Sequence, residues 1–182
     1  GTASIAANSV ANSITTFANI PGNAIGMAMI TVIGQCIGAE KPDEAKYFGR
    51  KLLKIAYAGI LATNIVMTLI AHPAVGLFHL SAEATATGIS LLHYFSLVSV
   101  FIWPLSFTLP NALRAAGDAR YTMTVSIFSM WVFRVASSYF LAGTLGLGVI
   151  GVWFGMFIDW GFRSSAFLIR FLRGKWTEKR VI

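Results

Sequence analysis

Four long stretches of this sequence contain no Asp, Glu, Lys or Arg: Gly1 to Ala39, Ile55 to Ala82, Ala84 to Leu113 and Val135 to Ile158. A soluble helix needs polar and charged residues on its wet face, whereas a membrane crossing needs about 20 consecutive, largely apolar residues. Only 12% of the 182 residues are charged and 56% are hydrophobic, against about 25% charged in an ordinary soluble domain. This excludes a water-soluble domain and a disordered chain. The single cysteine, Cys36, excludes a disulfide framework and a cysteine-built metal site, and is expected as a small buried apolar residue. The fold class that follows is all-α: a polytopic membrane protein forming one helical unit over residues 1–182.

The run Gly143-Thr144-Leu145-Gly146-Leu147-Gly148 divides the last window into the end of one crossing and the start of the next. The spacing then predicts about five transmembrane helices, near residues 5–36, 50–71, 85–110, 121–142 and 148–171. Between them, Gly38 to Glu44 is a polar turn with an acidic start to the next helix. Pro73, after Ala71-His72, is expected to end a helix. Ser81-x-Glu83 reads as a helix start, and Gly117-Asp118 as the break before Tyr121 opens another helix.

Lys and Arg collect in cytoplasmic connections. Here Lys41, Lys46, Arg50, Lys51 and Lys54 flank the first connection, and Arg114 and Arg120 the third. Arg163, Arg170, Arg173, Lys175, Lys179 and Arg180 occupy the last span's inner half and the tail. The second and fourth connections have none, and only Arg134 lies outside the alternation. The rule places Gly1 outside and the C-terminus in the cytoplasm, with Trp176 as an interfacial anchor. The expected localisation is the plasma membrane, the inner membrane in a bacterium. The net charge of +7 thus belongs to membrane topology and not to a nucleic-acid stripe, so the expected partner is the lipid bilayer and no nucleic acid. No signal-peptide pattern precedes the first span, and an outward start with an odd number of spans implies a preceding span outside this chain.

Two polar stripes run along the spans. Asn8, Asn12, Thr15, Thr16, Asn19 and Asn23 recur at helical spacing, as the wall of a substrate cavity or as hydrogen-bonding partners between helices. They lead into Ile20-Pro21-Gly22, a break of the kind that marks transporter sites. His93, Ser96, Ser99, Trp103, Ser106 and Pro110 share a second face, bent at Pro104 and Pro110. Trp103 there offers an aromatic face to a lipophilic cation, and His93 a titrating group; helix packing accounts for the same pattern. Gly22-x-x-x-Gly26, Gly34-x-x-x-Gly38 and Gly151-x-x-x-Gly155 permit close helix approach and favour packing over dimerisation. Counting rise from their shared turn puts Arg134 and Asp159 at similar depth, with Arg163 one turn from Asp159. A structural ion pair of Arg134, Asp159 and Arg163 is favoured over a proton carrier. No nucleophile–base pair, metal-ligand spacing or phosphate loop is present, so no catalytic residue, metal or cofactor is expected and the chain is not read as an enzyme.

Two segments resemble the C-terminal half of the MATE (multidrug and toxic compound extrusion) family. One runs from Ala6-Ala7-Asn8-Ser9-Val10-Ala11-Asn12 through Ile20-Pro21-Gly22 to Val32-Ile33-Gly34-Gln35-Cys36-Ile37-Gly38-Ala39. The other is Pro110-Asn111-Ala112-Leu113-Arg114-Ala115-Ala116-Gly117-Asp118-Ala119-Arg120-Tyr121-Thr122-Met123, followed by Gly151-Val152-Trp153 and Arg170-Phe171-Leu172-Arg173-Gly174-Lys175-Trp176. The resemblance implies helices eight to twelve of a twelve-helix secondary antiporter, most of one six-helix lobe. It further implies that the N-terminal lobe and helix seven are missing partners of this chain. The implied activity is export of amphipathic, cationic compounds in exchange for Na⁺ or H⁺, with Asn8, Asn12, Thr15, Asn19, His93 and Trp103 lining the substrate cavity. Some members carry a coupling acid on helix ten, but Ala84 to Leu113 contains no Asp or Glu, which puts the coupling-ion site outside this chain. Asp118 is expected in a local ion pair with Arg114 or Arg120, or as a helix cap. The alternatives are a lipid-linked oligosaccharide flippase, for which an arginine-lined cavity is expected, and a non-transporting membrane assembly subunit.

Overall fold

The computed structural model describes residues 1–178. Lys179 and Arg180 of the predicted basic tail lie outside the described residues, as does the Lys175 side chain. The chain runs through α1 (Thr2–Ala18), α2 (Ile20–Gly38), α3 (Pro42–Gly76), α4 (Ala82–Ala115), α5 (Ala119–Thr144) and α6 (Gly148–Leu172), then a short 3-10 turn at Lys175–Glu178. No strand occurs among the described residues. The protein is all-α, and α2 to α5 are each long and apolar enough to cross a membrane. α1 has only 17 residues, and α6 is diluted by Asp159, Arg163 and its glycines.

The first predicted span is two helices meeting at Asn19, whose backbone stays near helical values (φ −87, ψ −7), so the chain bends there without turning back. Pro21 causes the bend, because it has no N–H to offer one turn back and its ring crowds the preceding carbonyl. Neighbouring hydroxyls serve the carbonyls around it: Thr63 Oγ1 donates to the Ala18 carbonyl at 2.8 Å and Thr108 Oγ1 to the Gly22 carbonyl at 3.0 Å. A second expectation fails at Pro73, which lies inside α3. Only the last turn follows it, so one helical bond is lost while Ala71 and Val75 stay buried. Ser81 caps α4 as expected, accepting from the Ala84 N–H at 3.3 Å.

α2 lies against α3 and against the C-terminal half of α4, while α1 lies against α4 and touches α6. One core joins Val10, Ile60, Leu91, Phe95, Trp103 and Trp160; the other joins Met29, Ile33, Leu109, Leu113, Phe167 and Trp176. Trp176 is therefore not an interfacial anchor. It is fully buried, stacked on Phe171 at 5.1 Å, and donates Nε1–H to the Phe171 carbonyl at 2.9 Å. Gly174, with φ +73, makes the reversal that folds it back.

Three stretches widen into π-helix: Pro104–Thr108 in α4, and Met130–Val135 and Tyr139–Thr144 in α5. Such widening appears where a helix accommodates inserted bulk or serves a site. In α4 it follows directly from Pro104. α5 is the least covered helix, with 6% of its membrane-length window buried against 44% for α4.

Candidate functional site

The polar stripe of α1 and α2 divides into a packed half and an open half. Asn8 Oδ1 accepts from Trp153 Nε1 of α6 at 2.8 Å and from Asn12 Nδ2 at 3.1 Å. Thr15 is buried and donates to the Asn12 carbonyl at 3.0 Å. Asn8 thus ties α1 to α6, while the Thr15 bond stays within α1. Asn12, Thr16 and Asn23 instead stand exposed on the side of the bent helix turned away from its neighbours. Asn19 sits at the bend between the halves, with its Oδ1 buried and without a hydrogen-bond partner among the described residues.

The second stripe divides in the same way. Trp103 is 4% exposed, stacks on Phe107 at 5.1 Å, and occupies the space over Gly22, where a Cβ would collide with its ring. Its indole belongs to the α2–α4 seam. Next along that seam, a Cβ on Gly26 would strike the Asn111 amide. Gly151 and Gly155 similarly admit the backbone of Leu141, Ala142 and Ser138, whereas Gly34 and Gly38 face open space. Two of the three Gly-x-x-x-Gly pairs are thus packing contacts within the chain. His93 lies elsewhere, exposed beside His72 with ring centroids 6.4 Å apart. It borders a cleft of about 530 Å³ between α3 and α4 whose floor includes Asn64 and Ser96. The six predicted substrate contacts are not gathered into one cavity in this chain.

The charged residues re-pair as well. Asp159 is fully buried, and its Oδ1 accepts a hydrogen bond from Ser129 of α5, while Arg163 Nη1 stands 3.8 Å from Oδ2. The Arg163 guanidinium lies over the Phe107 ring at 4.9 Å. Arg134 is exposed, and among the described residues no ion pair joins it to Asp159. The expected pairing rested on depth along the axis alone, and five residues on from Ser129, at about 100° per residue, Arg134 stands on another side of the helix. Asp118 stands at the N-cap position of α5 as one expectation had it, though without a side-chain cap bond, and in place of a local pair with Arg114 or Arg120 its carboxylate takes Arg170 Nε of α6 at 2.7 Å. The break at Gly117, with φ +85, turns Asp118 into the helix bundle, where it is fully buried. Arg114 instead reaches Asn111 and Thr122 on its own face. Outside the spans, hydrogen bonding to Glu44 at 2.9 Å raises the Lys41 pKa above its ordinary value.

Three polar residues with structural work, Thr63, Asn64 and Thr108, carry no expectation from the sequence. Thr63 and Thr108 stitch the α1–α2 bend, and the Ser99 hydroxyl donates to Asn64 Oδ1 at 3.1 Å across α3 and α4. Their signal was available, since an Asn or Thr inside an apolar window must find a partner, but the partner's identity was not. Among the described residues, no group of three or more His, Cys, Asp or Glu converges as a metal site.

Apolar helices broken at prolines and glycines, with internal polar seams, define a multi-pass α-helical membrane protein. The MatE family model matches residues 1–140, and the chain belongs to that family. It is 30% identical over 166 residues to an uncharacterized transporter, YisQ, of Bacillus subtilis, covering 91% of this chain and 36% of that protein. It is 31% identical over 160 residues to the multidrug resistance protein NorM of Burkholderia vietnamiensis, covering 86% and 35%. A probable multidrug resistance protein NorM of Thermotoga maritima aligns over all 182 residues at 22% identity, 39% of its own length. The chain spans little more than a third of the length of these relatives. No solved structure gives a significant match.

Proposed function

We propose that this chain is most of the C-terminal lobe of a secondary active antiporter that exports amphipathic, cationic compounds in exchange for Na⁺ or H⁺. In this reading α1 and α2 together make one crossing and α3 to α6 four more, with the C-terminus in the cytoplasm of a plasma membrane. The rest of the protein supplies helix seven, the first lobe and the coupling-ion site, and no step is enzymatic. The observation that carries the reading is the open side of α1 and α2, where Asn12, Thr16 and Asn23 stand exposed across the Pro21 bend. Amides facing lipid are costly, so this side belongs to a water-accessible cavity between lobes. There Asn12 and Asn19 supply neutral hydrogen-bonding groups, while Asn8, Thr15 and Trp103 support the wall from behind and His93 opens toward a separate cleft. The absence of charge among the exposed polar residues of that stripe favours a broad amphipathic cargo over an oligosaccharide phosphate. Rocking one lobe against the other alternates access.

The test uses the intact protein in proteoliposomes, following efflux of ethidium driven by imposed Na⁺ or proton gradients. Asn12→Leu with Asn23→Leu is expected to cut efflux by about tenfold, the effect of about 1.4 kcal/mol, with folded protein undiminished. Trp131→Leu on exposed α5 is expected to leave efflux unchanged. Unaltered efflux in the double variant overturns the cavity reading.

A further inference from the structure

The loop end of α2 and α3 encloses a cleft of about 570 Å³ between Val32, Gln35 and Ala39 on one side and Lys41, Glu44, Phe48, Lys51 and Ile55 on the other. Its chemistry changes along its length. Lys41 and Glu44 meet at its loop end, 2.9 Å apart, and neutralise one another. Lys46, on the far side of α3 beside Gly174, stands 3.7 Å from Asp43. Lys51 has no acidic partner among the described residues, and its ammonium lies 5.9 Å from the Tyr47 ring centroid. Past Lys51 the lining becomes apolar through Leu52, Ile55 and Val32.

The level of Lys51 follows from helix length. α3 has 35 residues, about 52 Å at 1.5 Å per residue, whereas the hydrocarbon core is about 30 Å thick. Its first turns therefore stand above the hydrocarbon, and Lys51, about 15 Å along the axis from Lys41, comes to the headgroup layer. Arg50 and Lys54 flank it, both exposed. A cleft that is cationic at headgroup level, polar above and apolar below matches one amphipathic anion in one orientation.

We propose that the α2–α3 cleft binds one anionic phospholipid. Lys51 holds the phosphate, Gln35 and the Lys41–Glu44 pair face the polar headgroup, and the start of one acyl chain lies along Leu52, Ile55 and Val32. A free phosphate satisfies Lys51 but leaves the apolar wall unused, so the bilayer is the source the shape selects. The site stands apart from the Asn12–Asn23 face and does not depend on which compound is exported.

Delipidated intact protein is titrated with phosphatidylglycerol or phosphatidylcholine, and bound lipid is counted by native mass spectrometry. One phosphatidylglycerol is expected to bind in preference to phosphatidylcholine. Lys51→Ala is expected to weaken it about fivefold, the share of one basic residue near an anionic headgroup. Arg173→Ala, an exposed charge removed from the cleft, is expected to change nothing. Leu52→Trp, which fills the apolar wall while sparing the charge, is expected to weaken phosphatidylglycerol without altering the affinity for inorganic phosphate. Equal binding of the two lipids, wild-type affinity in Lys51→Ala, or displacement of the lipid by millimolar inorganic phosphate overturns the proposal.

Discussion

Two fully buried carboxylates, Asp118 and Asp159, are held by arginines of the same helix, α6, in different ways. Asp118 receives Arg170 Nε at 2.7 Å, a charge-assisted hydrogen bond across elements far apart in sequence. Asp159 takes its hydrogen bond from a neutral hydroxyl, Ser129, and sees Arg163 of its own helix at 3.8 Å, beyond hydrogen-bond length. The first pair ties the α4–α5 connection to α6. The second joins α5 to α6 through Ser129, and α6 to the π-helical stretch of α4 through Arg163 over Phe107. One carboxylate locks an end of the bundle, while the other sits where three helices cross and is weakly held. Buried charge fixes geometry in proportion to how completely it is paired.

Breaking the tight pair has the largest expected effect. Asp118→Ala leaves Arg170 without its carboxylate, and removing one partner of a buried pair costs about 3–5 kcal/mol. The Arg170 side chain is 23% exposed and stacks over Tyr121 at 4.9 Å, so the loss is expected near the lower end, about 3 kcal/mol. Thermal unfolding of the purified intact protein should show a clear drop in midpoint. Asp118→Leu with Arg170→Leu should recover much of it, because the buried carboxylate and the arginine that meets it are then both gone. A drop equally large in the double variant would show that the pair is not the source of the stability.

The loosely held carboxylate gives a smaller effect. Ser129→Ala removes the hydrogen bond to Asp159 Oδ1, and one buried acceptor left unmet costs about 1–3 kcal/mol. Asp159→Asn keeps the volume and an oxygen for Ser129, so it should cost less than Ser129→Ala. If Asp159→Asn proves as damaging as Asp118→Ala, the 3.8 Å separation from Arg163 understates a full ion pair, and the contrast between the two sites fails.

The sequence announced where charge enters the membrane but not what it meets. Charge-free windows located α2 to α4 because the bilayer constrains a whole window at once, and the Gly143–Gly148 run located the end of α5. The bend at Asn19 was legible from Pro21 and Gly22, although it was expected within one span. Partners were less legible, because Asp118 and Arg170 are separated by most of two helices and no local period links them. Arg114 and Arg120, close in sequence, seemed the natural partners until Gly117 turned the acid inward. The open polar face was half legible: spacing grouped Asn8, Asn12, Thr15 and Asn19, but only packing against Trp153 and Thr63 shows which side of the stripe is covered. The sequence leaves Trp103 open between a ligand face and helix packing. The absent side chain of Gly22 selects packing, and that is a relation between two helices.

Arg134 is where distance along the helix axis and position around it part company. Counted by rise its depth is expected to match that of Asp159, yet it is exposed on α5 while Ser129, five residues earlier, makes the contact. The π-helical stretch Met130–Val135 begins directly after Ser129. At about 100° per residue, position 134 stands about 140° around the helix from position 129, so a matching rise along the axis does not bring Arg134 to the α6 side. Arg134→Leu should change the thermal midpoint of the intact protein by no more than the scatter of surface substitutions, about 0.5 kcal/mol, the smallest effect of the series. A loss matching that of Ser129→Ala would place Arg134 back against Asp159, making the buried acid of α6 as fully paired as the one beside Arg170.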